Sequence, residues 1–143
     1  MRYWIVENES LANVSVITRF VRGVLGCDCP DEVFRHVEVR RGSAAVKNCP
    51  VDYELRIGGR LLVVVTSESV DILSGSRLEA VISEGKQARD DGKFNRFRLV
   101  VQAHNAAEDE AKLLRPFEAV SARDEKTHVH VVGKNEVPDF YSR

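Results

Sequence analysis

The chain has 143 residues, with 21 basic and 22 acidic side chains and a formal charge of -1. That length suits one domain over residues 1–143, because two halves would each bury too little apolar surface. At 43% apolar and 30% charged residues, the composition excludes a disordered, collagen-like or low-complexity chain. The near-zero charge also removes the general electrostatic argument for a nucleic-acid or membrane partner.

Tyr3 to Val6 is a short run of β-formers and reads as a first strand. Asn8 or Ser10 can then cap a helix. Leu11, Val14, Ile17, Val21, Val24 and Leu25 recur at three- and four-residue steps and mark its buried face. Gly26 follows, where a left-handed closing residue is common. Pro30 with Asp31 and Glu32 behind it signals a new, short helix, with Cys29 at the cap. It gives way to a strand near Glu38 to Arg40, and Gly42 to Asn48 reads as a loop. Val51, Tyr53, Leu55 and Ile57 alternate with polar residues, which predicts a half-buried strand. Gly58-Gly59 is a two-residue hairpin turn. Leu61 to Val65 lacks polar alternation and reads as a central strand covered on both faces.

Ser76 and Glu79 match a capping box, and Leu78, Val81, Ile82 and Ala88 supply the apolar face of the helix behind it. Asp90-Asp91-Gly92 ends that helix. Phe97, Leu99, Val101 and Ala103 alternate along another strand. Ala106 to Leu114 reads as a helix stopped by Pro116. After a charged turn at Ala122 to Lys126, Thr127, Val129 and Val131 form a last strand. The reading is a single α/β domain: a mixed sheet with a central antiparallel hairpin and helices on both faces.

The longest aliphatic run, Leu61 to Val65, falls far short of the roughly 20 residues of a membrane span. The first ten residues lack the hydrophobic centre of a signal peptide. The expected compartment is the cytoplasm, with no membrane partner. An odd count of three cysteines without a secretory signal argues against a disulfide framework.

Three groups of residues carry candidate chemistry. Cys27 and Cys29 lie at a helix start, where free amides and the dipole stabilise a thiolate, although Asp28, Asp31 and Glu32 oppose this. Cys49 and His36 would complete a tetrahedral zinc site with them. Redox work by the two thiols, or plain core filling, are the alternatives. His128 and His130 share one strand face at roughly 7 Å, with His104 as a third candidate ligand. A solvent-facing pair is the bland alternative. Basic residues cluster at Arg35, Arg40, Arg41 and Lys47, and at Lys93, Arg96 and Arg98. Arg56 and Arg98 would share a positive face if the hairpin and the Arg98 strand were neighbours.

The third group rests on the order of elements from Ser10 to Ala103. Helix, strands, helix, strand resembles the core of the restriction-endonuclease-like superfamily. The resemblance covers about two-thirds of the chain and is topological. It implies an aspartate at the start of one hairpin strand and an acid-x-lysine triplet on the next, where the acids hold a metal and the lysine helps activate water. Asp52 stands at the first position. Val65 and Ser67 stand where the second acid and the lysine would be, so both side chains are missing. Glu68 is close but out of register, and Lys86 and Gln87 resemble helix residues that accompany this core in some members. The implication is a domain that has lost metal-dependent hydrolysis, or one using displaced Asp52, Glu68 and Lys86.

The leading expectation is a small soluble binding or interaction domain without a catalytic constellation. A thiol or zinc site and a degenerate nuclease-like, nucleic-acid-binding domain are the alternatives. The C-terminal Phe140 and Tyr141, after Pro138, either dock on the body or contact a second copy, which keeps a homodimer open.

Overall fold

The computed structural model describes residues 12–73, 76–121 and 124–141. The strand expected at Tyr3 to Val6 and the caps at Asn8 and Ser10 lie outside these residues. The first described helix, α1, spans Val14–Arg19, and the Asn13 side chain caps it by accepting from the Val16 amide. It continues into a π-helical turn at Phe20–Val24. A short 3-10 helix follows at Asp31–Arg35. The strands are β1 (Val37–Arg40), β2 (Tyr53–Ile57), β3 (Leu61–Thr66), β4 (Arg96–Ala103) and β5 (Thr127–Gly133). Helix α2 (Ser76–Asp91) joins β3 to β4, and α3 (Ala106–Ser121) joins β4 to β5.

The five strands lie in chain order. β1, β2 and β3 form an antiparallel meander, while β4 and β5 run parallel to β3. Gly58 and Gly59 make the expected β2–β3 turn, both with positive φ (60° and 64°), the backbone that a primed hairpin turn demands. A side chain at Gly58 would also strike the backbone of Val33. Every residue of β3 is buried, as its unbroken apolar run requires.

Two cores sandwich the sheet. One face carries Leu55, Ile57, Val63, Val65 and Val100 against Ile17, Phe20, Val21 and Phe140. The other carries Leu62, Val64, Phe97, Leu99 and Val101 against Leu78, Val81, Ile82, Leu113 and Phe117 from α2 and α3. Alternate residues of a strand point to opposite faces, so Arg96, Arg98, Val100 and Gln102 share the α1 side.

The structure corrects three expectations and resolves one open alternative. Pro30, not Cys29, precedes the 3-10 helix as its cap, because the proline backbone is extended (ψ 157°) and the helix starts only at Asp31. Helix α3 passes through Pro116 and runs to Ser121, since Phe117, one residue beyond the proline, is anchored in the core. Arg56 and Arg98 do not share a face: Arg56 lies on the α2 side with Glu54, and Arg98 on the α1 side. The C-terminal aromatics dock on their own chain. Phe140 is fully buried, in edge-on contact with Phe20 and Tyr53, and Tyr141 bridges back to Ala12. With the rings satisfied internally, the tail no longer argues for a homodimer. Among the described residues no helix is long and apolar enough to cross a membrane.

Candidate functional site

At the carboxyl ends of β3 and β4, three polar side chains meet. Asp52 immediately precedes β2, and its amide donates to the Val65 carbonyl (2.8 Å), which locks it beside the end of β3. Ser67 is the first residue beyond β3, and Gln102 is the penultimate residue of β4. The Ser67 hydroxyl donates to Asp52 Oδ2 at 2.8 Å, and Gln102 Nε2 donates to the same oxygen at 2.9 Å. The network separates two shallow concavities. One, of about 390 Å³, holds Asp52, Tyr53, Gln102, Arg41 and Asp139. The other, of about 370 Å³, holds Ser67, Glu68, Gln102, His104, Glu108 and Lys134.

The neighbouring loop is stitched down from below. The buried Thr66 hydroxyl donates to the Pro50 carbonyl (2.6 Å) and accepts from the Glu68 amide (3.0 Å). Burial pushes the nearby Cys49 thiol up, and the Glu68 and Glu84 charges push in the same direction, against a hydrogen bond with Thr66. Glu68 lies beyond the end of β3 and lines the second concavity with Ser67 and Gln102.

These residues provide poorly for a divalent cation. The Val65 side chain supplies no oxygen and is fully buried, its carbonyl accepts from the Asp52 amide, and Asp52 Oδ2 already accepts from two donors. Lys86 is not part of the site. It sits toward the far end of α2 with Asp124 at 3.7 Å, because α2 runs back along the sheet and carries its second half away from Asp52.

The zinc candidates are not assembled either. Cys27 and Cys29 are joined in a disulfide and pack against the α1-side core, whereas Cys49 is a free thiol in the opposite core. The sheet stands between them. His36 is exposed on the rim, where its carbonyl accepts from Gly58 (2.7 Å). Adjacent thiols in a C-x-C segment can close locally, so the odd cysteine count did not preclude a bridge.

His128 and His130 do share a face, on the α1 side of β5. His104 does not join them: His130 pairs with Val100, four residues before His104, a separation of roughly 13 Å along the strand. Its ring instead meets Lys134 Nζ at 3.4 Å. Among the described residues no three His, Cys, Asp or Glu side chains are grouped to hold a metal.

What accompanies the two imidazoles is arginine. Arg98 Nη1 lies 2.8 Å from His130 Nε2 and donates to the Leu25 carbonyl at 3.1 Å. Arg96 Nη1 lies 3.5 Å from His128 Nε2 and donates to the Glu125 carbonyl at 3.2 Å. The sequence held the pieces, two arginines and two histidines at alternate positions. Only the parallel register of β4 and β5 sets them side by side.

Sequence reasoning also missed Glu54. Alternation placed it on an outer face, yet it is wholly buried. The Ser43 hydroxyl and Arg56 Nε (2.8 Å) hold its carboxylate. The apolar Val46 within the expected loop and Cys49 just after it were the available signal, since both are buried in the α2-side core and hold that loop down beside Glu54. Beside it runs a groove of about 730 Å³, between that loop and α2, with charges of both signs from Lys47, Arg56, Glu84 and Asp91.

No protein-family model, curated protein or solved structure matches the chain.

Proposed function

We propose that the chain is a non-hydrolytic binding domain on a sheet that resembles the restriction-endonuclease-like core. The observation that carries this reading is the hydrogen-bonded closure of Asp52. The aspartate stands at the first metal-holding position, beside the end of β3. A buried valine replaces the second acid, and a serine in the lysine position spends its proton on the aspartate itself. Metal-assisted hydrolysis needs a cation held by open oxygen ligands and a base for water. Here Asp52 Oδ2 is engaged by two donors, a valine stands in place of the second acid, and a serine stands in place of the lysine. The order of helix, three strands, helix and strand supports the likeness, while fold alone leaves function open.

The test is incubation of labelled single- and double-stranded DNA and RNA with the protein in Mg²⁺ and in Mn²⁺. The reading expects no cleavage beyond that of the Asp52→Asn variant. Cleavage that the variant loses overturns it.

The half-exposed Cys27–Cys29 disulfide supports a second reading, thiol–disulfide exchange. An external dithiol would supply two electrons and two protons, opening the S–S bond to two thiols and leaving as its own disulfide. Equilibration with glutathione mixtures tests it. A reduction potential below about -300 mV marks a structural bond and ends this reading.

A further inference from the structure

Arg98 poses a problem of charge. Its side chain is half-buried, and burial together with the Arg96 charge lowers its hold on its proton. No carboxylate pairs with it among the described residues. Both of its hydrogen bonds leave from Nη1, to Leu25 and His130. Nε is buried without a hydrogen-bond partner. Buried cations are ordinarily paired, because desolvating an unpaired charge is costly. Here the neighbours are instead another guanidinium and two imidazoles. The carbonyl of Leu25, at the end of the π-turn, fixes one side of the guanidinium through Nη1, and Nε is sealed from solvent. Nη2 is left as the guanidinium donor that an oxyanion can engage.

We propose that Arg96, Arg98, His128 and His130 form a binding site for the phosphate group of a phosphorylated ligand. Two guanidinium groups and two imidazoles stand side by side on adjacent strands, and although the His128 ring is also bonded to the Glu125 backbone, the set is rich in donors for a tetrahedral dianion. A ring nitrogen that accepts from Arg98 at Nε2 carries its proton on Nδ1 when neutral, so His130 offers a donor there. The inference stands apart from the Asp52 reading, because the cluster lies on the middle and amino-terminal half of β4 and the network lies at its carboxyl end.

The site is coupled to protons. Burial, with the Arg98 and His128 charges adding to it, lowers His130 to about 4. Burial, Arg98 and Arg96 lower His128, against a hydrogen bond to the Glu125 backbone and the Asp124 charge. Both rings are therefore mostly neutral at pH 7. A bound dianion favours their protonated forms, so binding takes up protons and strengthens as pH falls toward 5.5.

The experiment is calorimetric titration of the full chain with inorganic phosphate at constant ionic strength, with chloride as control. A second arm compares a 5′-phosphorylated oligonucleotide with its 5′-hydroxyl twin. The proposal expects phosphate to bind where chloride does not, tighter by about threefold or more at pH 5.5 than at pH 7.5. Arg98→Gln should weaken binding by at least about tenfold. Should that variant fail to fold, Arg96→Gln and His128→Gln, at more exposed positions, should each weaken it too. Preference for the 5′-phosphorylated strand assigns the phosphate to a nucleic-acid end; equal binding of both strands with retained phosphate affinity assigns it to a small ligand. No phosphate binding, or binding indifferent to all three substitutions, overturns the site. Cleavage by the wild type would refute only the Asp52 reading.

Discussion

Asp124→Asn should destabilise the fold strongly at neutral pH and hardly at all in acid. Asp124 Oδ2 accepts from Arg89 Nη1 (2.8 Å) and the Thr127 hydroxyl (2.9 Å), while Oδ1 accepts from the Lys126 amide (2.9 Å). Burial pushes the Asp124 carboxyl up, but Arg89, Lys126 and Thr127 outweigh it and hold it down to about 2 from the usual 3.8. The side chain is 18% exposed, so solvent screens the interaction in part. A depression of nearly two units at about 1.4 kcal/mol each therefore corresponds to an upper value of roughly 2–2.5 kcal/mol of stability. The folded pKa lies below the unfolded one, so this stability is complete above about pH 4 and is lost as pH falls through 2. Asparagine removes the charge while keeping the shape, and leaves the buried Arg89 with Asp90 as its remaining acid, at 3.1 Å. Urea unfolding of wild type and variant at pH 7 and at pH 2.5 measures the difference. We expect a gap of about 2 kcal/mol at pH 7 that shrinks to less than half of that at pH 2.5. A gap unchanged by pH would assign the loss to packing and refute the charge argument.

Other sites give sharper structural tests. Gly85→Ala should cost about 2 kcal/mol or more in urea unfolding. A Cβ there would lie 2.1 Å from the Phe97 ring, a clash larger than the gain of roughly 1 kcal/mol in helix propensity; a stabilised variant would mean that α2 does not pack on β4 this closely. Cys49 should resist alkylation at pH 8 in the native protein and react fully in urea, because it is buried and its thiol is pushed up by that burial; prompt native labelling would contradict its placement. Reducing the Cys27–Cys29 bond should lower stability by only about 1–2 kcal/mol, since it closes a very short loop; unfolding on reduction would show that the α1-side core depends on it.

The fold was legible where the pattern was local. Two glycines of positive φ announced the hairpin, and the unalternated Leu61–Val65 run announced a strand covered on both faces. Pro116 misled because a local rule, the missing amide, lost to a tertiary one, the anchoring of Phe117. Glu54 misled for the same reason: period-two alternation cannot see a loop folding over a strand edge. The candidate site was legible only in fragments. Asp52 and Ser67 stood out in the sequence as residues at the ends of adjacent strands, but Gln102 enters through the parallel β3–β4 register, which no spacing in the sequence specifies. The arginine–histidine cluster also depends on register, with Arg98 opposite His128 across β4 and β5. The C-x-C disulfide was lost to a counting argument that ignored how easily neighbouring cysteines meet.

The closure of Asp52 is tested most directly by titrating Mn²⁺ into the protein and following its electron paramagnetic resonance signal. The account predicts that the free-ion signal persists and that Asp52→Asn leaves the titration unchanged. Loss of signal at stoichiometric Mn²⁺, abolished by Asp52→Asn, would show a working metal site and contradict a non-hydrolytic domain.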